Sequence, residues 1–146
     1  MATTSIRPAV KSYLKTQLAT ALPTVTVMRS WNGKLIEREA IWFQRTSGEV
    51  GFPLAMAGRK ARDDDFTVRV AFAVATPGED DTEVEARVME LVAALENIVA
   101  ADVTAANLDG LVHMILGQQD GPDSVPYGEG FLAMVEQDVV CKTRLL

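Results

Sequence analysis

One stretch limits the fold of this chain more than any other. From Phe66 to Ala75 the sequence alternates strictly. Phe66, Val68, Val70, Phe72 and Val74 fall on one side, and Thr67, Arg69, Ala71, Ala73 and Ala75 on the other. Side chains of an extended strand point to opposite faces in turn, so this pattern predicts a β-strand with a large apolar face for the core. The second face is small rather than charged, and a helix, another sheet or a neighbouring subunit can cover it. The densest charge in the chain lies just before this strand, where Arg59, Lys60 and Arg62 run into Asp63, Asp64 and Asp65. Successive carboxylates on an extended chain point to opposite sides, so these acids are not expected to converge on one ion.

The flanking sequence supplies the other elements. Ile6, Val10, Tyr13, Leu14, Leu18 and Leu22 recur at helical spacing and predict a helix over 5–21, with Ser5 as N-cap, Pro8 in the first turn and Pro23 as its stop. Val25, Val27 and Met28 lead into Trp31-Asn32-Gly33-Lys34, which predicts a tight hairpin with a return strand from Leu35 to Arg45. The segment 46–65 mixes Gly48, Gly51, Pro53 and Gly58 with apolar Phe52, Leu54 and Met56. It is expected as a long functional loop whose apolar residues either tuck back onto the core or meet a partner.

Thr82 and Glu85 form a capping box for a helix reaching Ala101, with Val84, Val88, Leu91, Val92, Leu95, Ile98 and Val99 as its apolar stripe. Glu83 and Arg87 are set for an i,i+4 pair. A short strand over 111–117 is expected to be covered on both faces. A polar loop follows over 118–130. The last strand places Phe131, Ala133, Val135, Val139 and Cys141 on one face. The order is therefore α-β-β-β-α-β-β. It predicts a single α+β domain over 1–146, an antiparallel or mixed sheet with two helices packed on one face.

Composition excludes several functions. Net charge is -6 and the sequence pI is about 4.8. A sequence-independent nucleic-acid binder needs many cations to neutralise phosphates. An acidic wall instead lets DNA pass without sticking. One cysteine and one histidine, Cys141 and His113, cannot make the usual zinc set or an internal disulfide. His113 has no partner at metal-ligand spacing and reads as a strand residue. Cys141, on an apolar face without a basic neighbour, reads as packing. No phosphate-cradling glycine loop or nucleophile elbow occurs. No cofactor is implied. No signal-like N-terminus or membrane span is found, so the chain is expected to be soluble and made in a cytoplasm. These exclusions leave a structural or interaction protein.

Taken together, four stretches resemble the tail terminator proteins of long-tailed bacteriophages. They are the amphipathic IRPAVKSYLKTQLATAL, the following TVTVMRSWNGKLIEREAIWF, the charged GRKARDDDFTVRVAFAV, and the acidic-start helix GEDDTEVEARVMELVAALENIV before two closing strands. The resemblance covers nearly the whole chain. It implies a non-enzymatic virion protein that forms a ring, usually a homo-hexamer, on the head-proximal end of the tail tube. Such a ring ends tube growth and joins the tail to the head-side connector or stopper protein, and DNA passes through its lumen without specific binding. It is assembled in the host cytoplasm and involves no membrane. On this reading Phe52, Leu54, Met56, Arg59, Lys60, Arg62, Asp63, Asp64 and Asp65 are candidates for the subunit or tube interface. Mixed charge there would give register and specificity between neighbours more than affinity. The same cluster also reads as a solvated edge. Three other readings stay open: a head-completion or neck protein of the same joint, a small-molecule-binding α+β domain or small enzyme, and a bacterial adaptor domain that forms no ring.

Overall fold

The computed structural model describes residues 6–34, 38–56, 59–76, 78, 80–102, 104 and 111–145, with side chains described except at 49–63, 111–112 and 144–145. The elements run α1 (Arg7–Ala21), β1 (Thr26–Met28), β2 (Glu39–Met56), β3 (Arg59–Thr76), α2 (Asp81–Ala101), β4 (Leu111–Tyr127) and β5 (Gly130–Leu145). The five strands form one mixed sheet in the order β1-β2-β3-β5-β4. Among the described residues β1–β2 is the one parallel pair. Both helices pack on the same face, which gives the expected α+β architecture.

The alternation of β3 decides which face is the core. Phe66, Val68, Val70, Phe72 and Val74 are buried under the helices, beside Ile41 and Phe43 of β2 and Ala133, Val135, Val139 and Cys141 of β5. From above, α1 contributes Val10, Leu14 and Leu18, and α2 contributes Val84, Val88, Leu91, Val92, Leu95 and Val99. Contacts place α2 over β3, β5 and β4, while α1 touches α2 and β1. The first helix thus lies toward the β1 edge of the sheet.

Several local expectations are corrected. The segment 46–65 is not an irregular loop, because its described residues extend β2 and β3 into one long hairpin. Its register jumps from Gly51↔Asp63 to Leu54↔Ala61, so Phe52 and Pro53 together oppose Arg62. Proline lacks an N–H for the ladder, and a bulge accommodates it there. The polar stretch 118–130 is likewise strand as far as Tyr127, with bulges where Gly117-Gln118 oppose Asp138 and Gly121-Pro122 oppose Val135. Gly121 has φ +103°, and a Cβ there would lie 2.6 Å from the Met134 carbonyl oxygen, so the second bulge needs glycine.

The expected β1–β2 hairpin is a parallel pair instead, Thr26 to Met28 against Ala40 to Trp42. Parallel neighbours need a longer connection than a tight turn. The Asn32-Gly33 signal still makes a local turn. The Lys34 N–H donates to Asn32 Oδ1 at 3.0 Å and Gly33 takes φ +79°. The cap of α2 is Asp80, whose carboxylate accepts from the Glu83 N–H at 2.8 Å, rather than Thr82. Arg87 pairs with Glu39 at 2.5 Å and Glu90 at 2.7 Å instead of with Glu83. Ser5, expected to cap α1, lies outside the described residues.

Candidate functional site

The distal β2–β3 hairpin carries most of the charge and apolar cluster singled out in the sequence. Its backbone sets Met56 opposite Arg59, Ala55 opposite Lys60, Leu54 opposite Ala61 and Gly51 opposite Asp63. Phe52, Leu54, Met56, Arg59, Lys60, Arg62 and Asp63 are therefore brought to one end of one hairpin, with their side chains outside the described residues. The two remaining acids separate as strand geometry requires. Asp65 is exposed.

Asp64 is only 1% exposed and accepts hydrogen bonds from Arg7 at 2.5 and 3.1 Å. The Asp64 carbonyl also accepts from the Thr143 hydroxyl at 2.6 Å. Arg7 in turn lies 5.3 Å from the centroid of the Phe66 ring. Asp64 is thus corrected from interface candidate to an internal tie between α1, β3 and β5.

The helix-free face of the sheet holds a second constellation that the sequence reading did not single out. Even-numbered residues of β5 and odd-numbered residues of β3 share this face, because Ala71 pairs with Glu136 and Arg69 with Asp138. Arg69 is the hub. Its guanidinium donates to Glu136 at 2.5 and 2.8 Å, to Asp138 at 2.8 Å, and to Asp120. These bonds raise the Arg69 pKa above its ordinary value, the Asp120 bond contributing most. In return Arg69 first, and Gln118 second, hold the Asp120 carboxyl below the usual carboxylate range. One cation serves three carboxylates, so the cluster stays negative. Asp123, opposite Met134 in the ladder, adds to it. The acids at 136 and 138, two residues apart on one strand, were the available sequence signal.

Beside the charges lies an apolar patch. Ala40, Trp42, Ala71 and Ala73 form a small buried cluster with Met28, Leu132 and Met134 against it. Trp31 tilts over Trp42, with ring centroids 4.8 Å apart, and is itself 41% exposed. Two shallow cavities meet at Met134. One of 520 Å³ is lined by Trp31, Trp42, Phe43, Gln44 and Met134. The other, of 280 Å³, is lined by Asp120, Asp123, Val125, Leu132, Met134 and Glu136. Ile115 at 49% and Val125 at 52% are the other large apolar residues exposed among those described. The exposure of Ile115 corrects the expectation that the strand over 111–117 is covered on both faces.

Cys141 is buried on the helix-covered face, and burial pushes its thiol up to about 12. His113 sits partly buried in β4 opposite Lys142. The cavities described here are lined without it. Among the described residues no group of three His, Cys, Asp or Glu side chains is placed to hold a metal ion, and no helix is long and apolar enough to cross a membrane. What the helix-free face offers is apolar area next to unneutralised negative charge, a chemistry suited to docking. No family model matches the chain, and no curated protein matches it significantly.

Proposed function

We propose that this chain is a structural ring-former of the phage tail-terminator type. It ends tail-tube polymerisation at the head-proximal end, presents a surface to the head-side connector, and lets DNA through its lumen. The observation that carries the reading is the two-sided sheet. One face is sealed by the chain's own helices, while the other keeps apolar and charged groups at the surface. Exposed apolar patches rimmed by polar groups mark interaction surfaces. The net charge of -6 suits a channel that does not grip DNA. A head-completion protein of the same joint would use the same features. The cavity beside Trp31 and Trp42 favours, as a second reading, a domain that binds a small apolar molecule.

The test is assembly with tail-tube protein. Tube polymerisation is followed by electron microscopy with and without this chain, and its mass is measured by light scattering. A discrete ring seated at one tube end, with shorter tubes, is expected. Tubes of unchanged length with no end-bound density overturn the reading.

A further inference from the structure

The two lateral edges of the sheet differ in sign. At the β1 edge, α1 carries Lys11 and Lys15 one turn apart and no acidic residue. Arg29, just after β1, donates to Ser12 Oγ at 2.5 Å and to the Pro8 carbonyl at 3.2 Å, which holds a third cation beside them. Among the described residues no carboxylate pairs with Lys11, Lys15 or Arg29. Burial first, and the Arg29 charge second, hold the Lys11 ammonium below its ordinary value, as expected for a crowded cation lacking a counter-charge. The β4 edge carries Asp120 and Asp123 in excess over Arg69. Two of the three exposed large apolar residues, Ile115 and Val125, lie on β4, whereas the third, Trp31, lies over Trp42 of β2 on the helix-free face.

These charges cannot satisfy one another within one molecule. Four strand spacings of roughly 4.8 Å put the edges about 19 Å apart. That exceeds the screening length of about 8 Å at physiological salt. The complementarity is therefore available only between molecules. Because the two patches differ, the contact they make is heterologous and repeats around a ring or along a filament rather than closing a two-fold dimer.

We infer that copies of this chain join head to tail, the α1–β1 edge of one (Lys11, Lys15, Arg29) seated against the β4 edge of the next (Ile115, Asp120, Asp123, Val125). The contact rests on the ring reading above and names the surfaces that would close the ring. It also gives the exposed Ile115 and Val125 a second copy of the chain as their cover.

Charge reversal in two separate variants tests it, Lys11→Glu with Lys15→Glu and Asp123→Lys with Val125→Lys. All four positions lie outside the buried core, and circular dichroism confirms that each variant folds. Should one misfold, the single changes Lys15→Glu and Asp123→Lys replace the pairs. Mass is followed by light scattering from micromolar to millimolar concentration at low and moderate salt.

The wild type should associate, more weakly as salt rises. Each variant alone should associate about tenfold or more weakly, since like charges now face each other. An equimolar mixture should recover, because each reversed patch complements the other and the native patches still match. Variants that assemble like the wild type, a mixture no better than its components, or a wild type monomeric throughout would overturn the contact. Wild-type assemblies that obey this pattern but leave tube length unchanged would count against the terminator reading alone. Tube capping that survives in both variants would count against the contact alone.

Discussion

The two faces of the sheet are made from alternate residues of the same strands, yet they are finished in opposite ways. On one face Phe66, Phe72 and Val135 meet two helices and lose their water. On the other, Ala71 and Ala73 are buried by a thin cover of Trp42, Met28, Leu132 and Met134, and polar order comes from one arginine shared among three acids. The first face completes itself, as a fold requires. The second keeps apolar area and net negative charge at the surface. Stability should therefore reside in the buried side chains of the first face, and recognition in what stays open, the second face and the outer side of α1.

Truncation on each face gives the sharpest break of that comparison. Phe72→Ala removes a fully buried ring between β3 and the helices and should cost about 3–5 kcal/mol in urea unfolding. Trp42→Ala removes a larger ring, but its neighbour Trp31 is half-open to water and can resettle, so the loss should be smaller. Equal losses would mean that the helix-free face is a second core and not a docking surface.

A smaller effect separates two neighbours in sequence. Arg7→Leu leaves the Asp64 carboxylate buried without its guanidinium and should cost about 2–3 kcal/mol. Asp65→Ala, one residue on and facing out, should stay within about 0.5 kcal/mol of wild type. Denaturant midpoints of the two variants check this. Matching values would contradict the division of the acidic run between interior and surface.

Periodicity made the covered face readable. The alternation from Phe66 to Val74 and the stripe from Val84 to Val99 each named the buried side chains, because burial and repeat coincide there. Reading failed where glycine and proline sit inside strands. Gly51, Pro53, Gly121 and Pro122 look like loop punctuation, yet each occupies or adjoins a bulge, and no local signal separates a bulged strand from a loop when its partner is distant in sequence. Direction was equally hidden for β1, since three residues pair with β2 through their place in the sheet and not through the turn that follows them. The Arg69 cluster escaped because its members lie on three strands, and the sheet order that joins them is a tertiary fact. Asp64 was misplaced for the same reason, its partner Arg7 standing 57 residues away.

The smallest effects are in pH, and they fall at opposite ends of the scale for the two faces. Cys141, on the covered face, has its thiol pushed from 9.0 up to about 12 by burial. Its folded-state value is raised, so the stability it contributes is whole below about pH 9 and is lost as pH climbs toward about 12. Tyr13, raised by burial first and by Asp102 second, acts in the same direction. Cys141→Val should therefore flatten only part of the alkaline slope in a denaturation series.

Asp120, on the open face, is lowered from 3.8, so its contribution is present above that value and is lost as pH falls below it. In Arg69→Gln the main cause of that lowering is gone, and the Asp120 carboxyl should titrate closer to its ordinary value by NMR. If the acid limb changed in Cys141→Val, or the alkaline limb in Arg69→Gln, the two faces would be coupled through the sheet, and the separation of stability from recognition would fail.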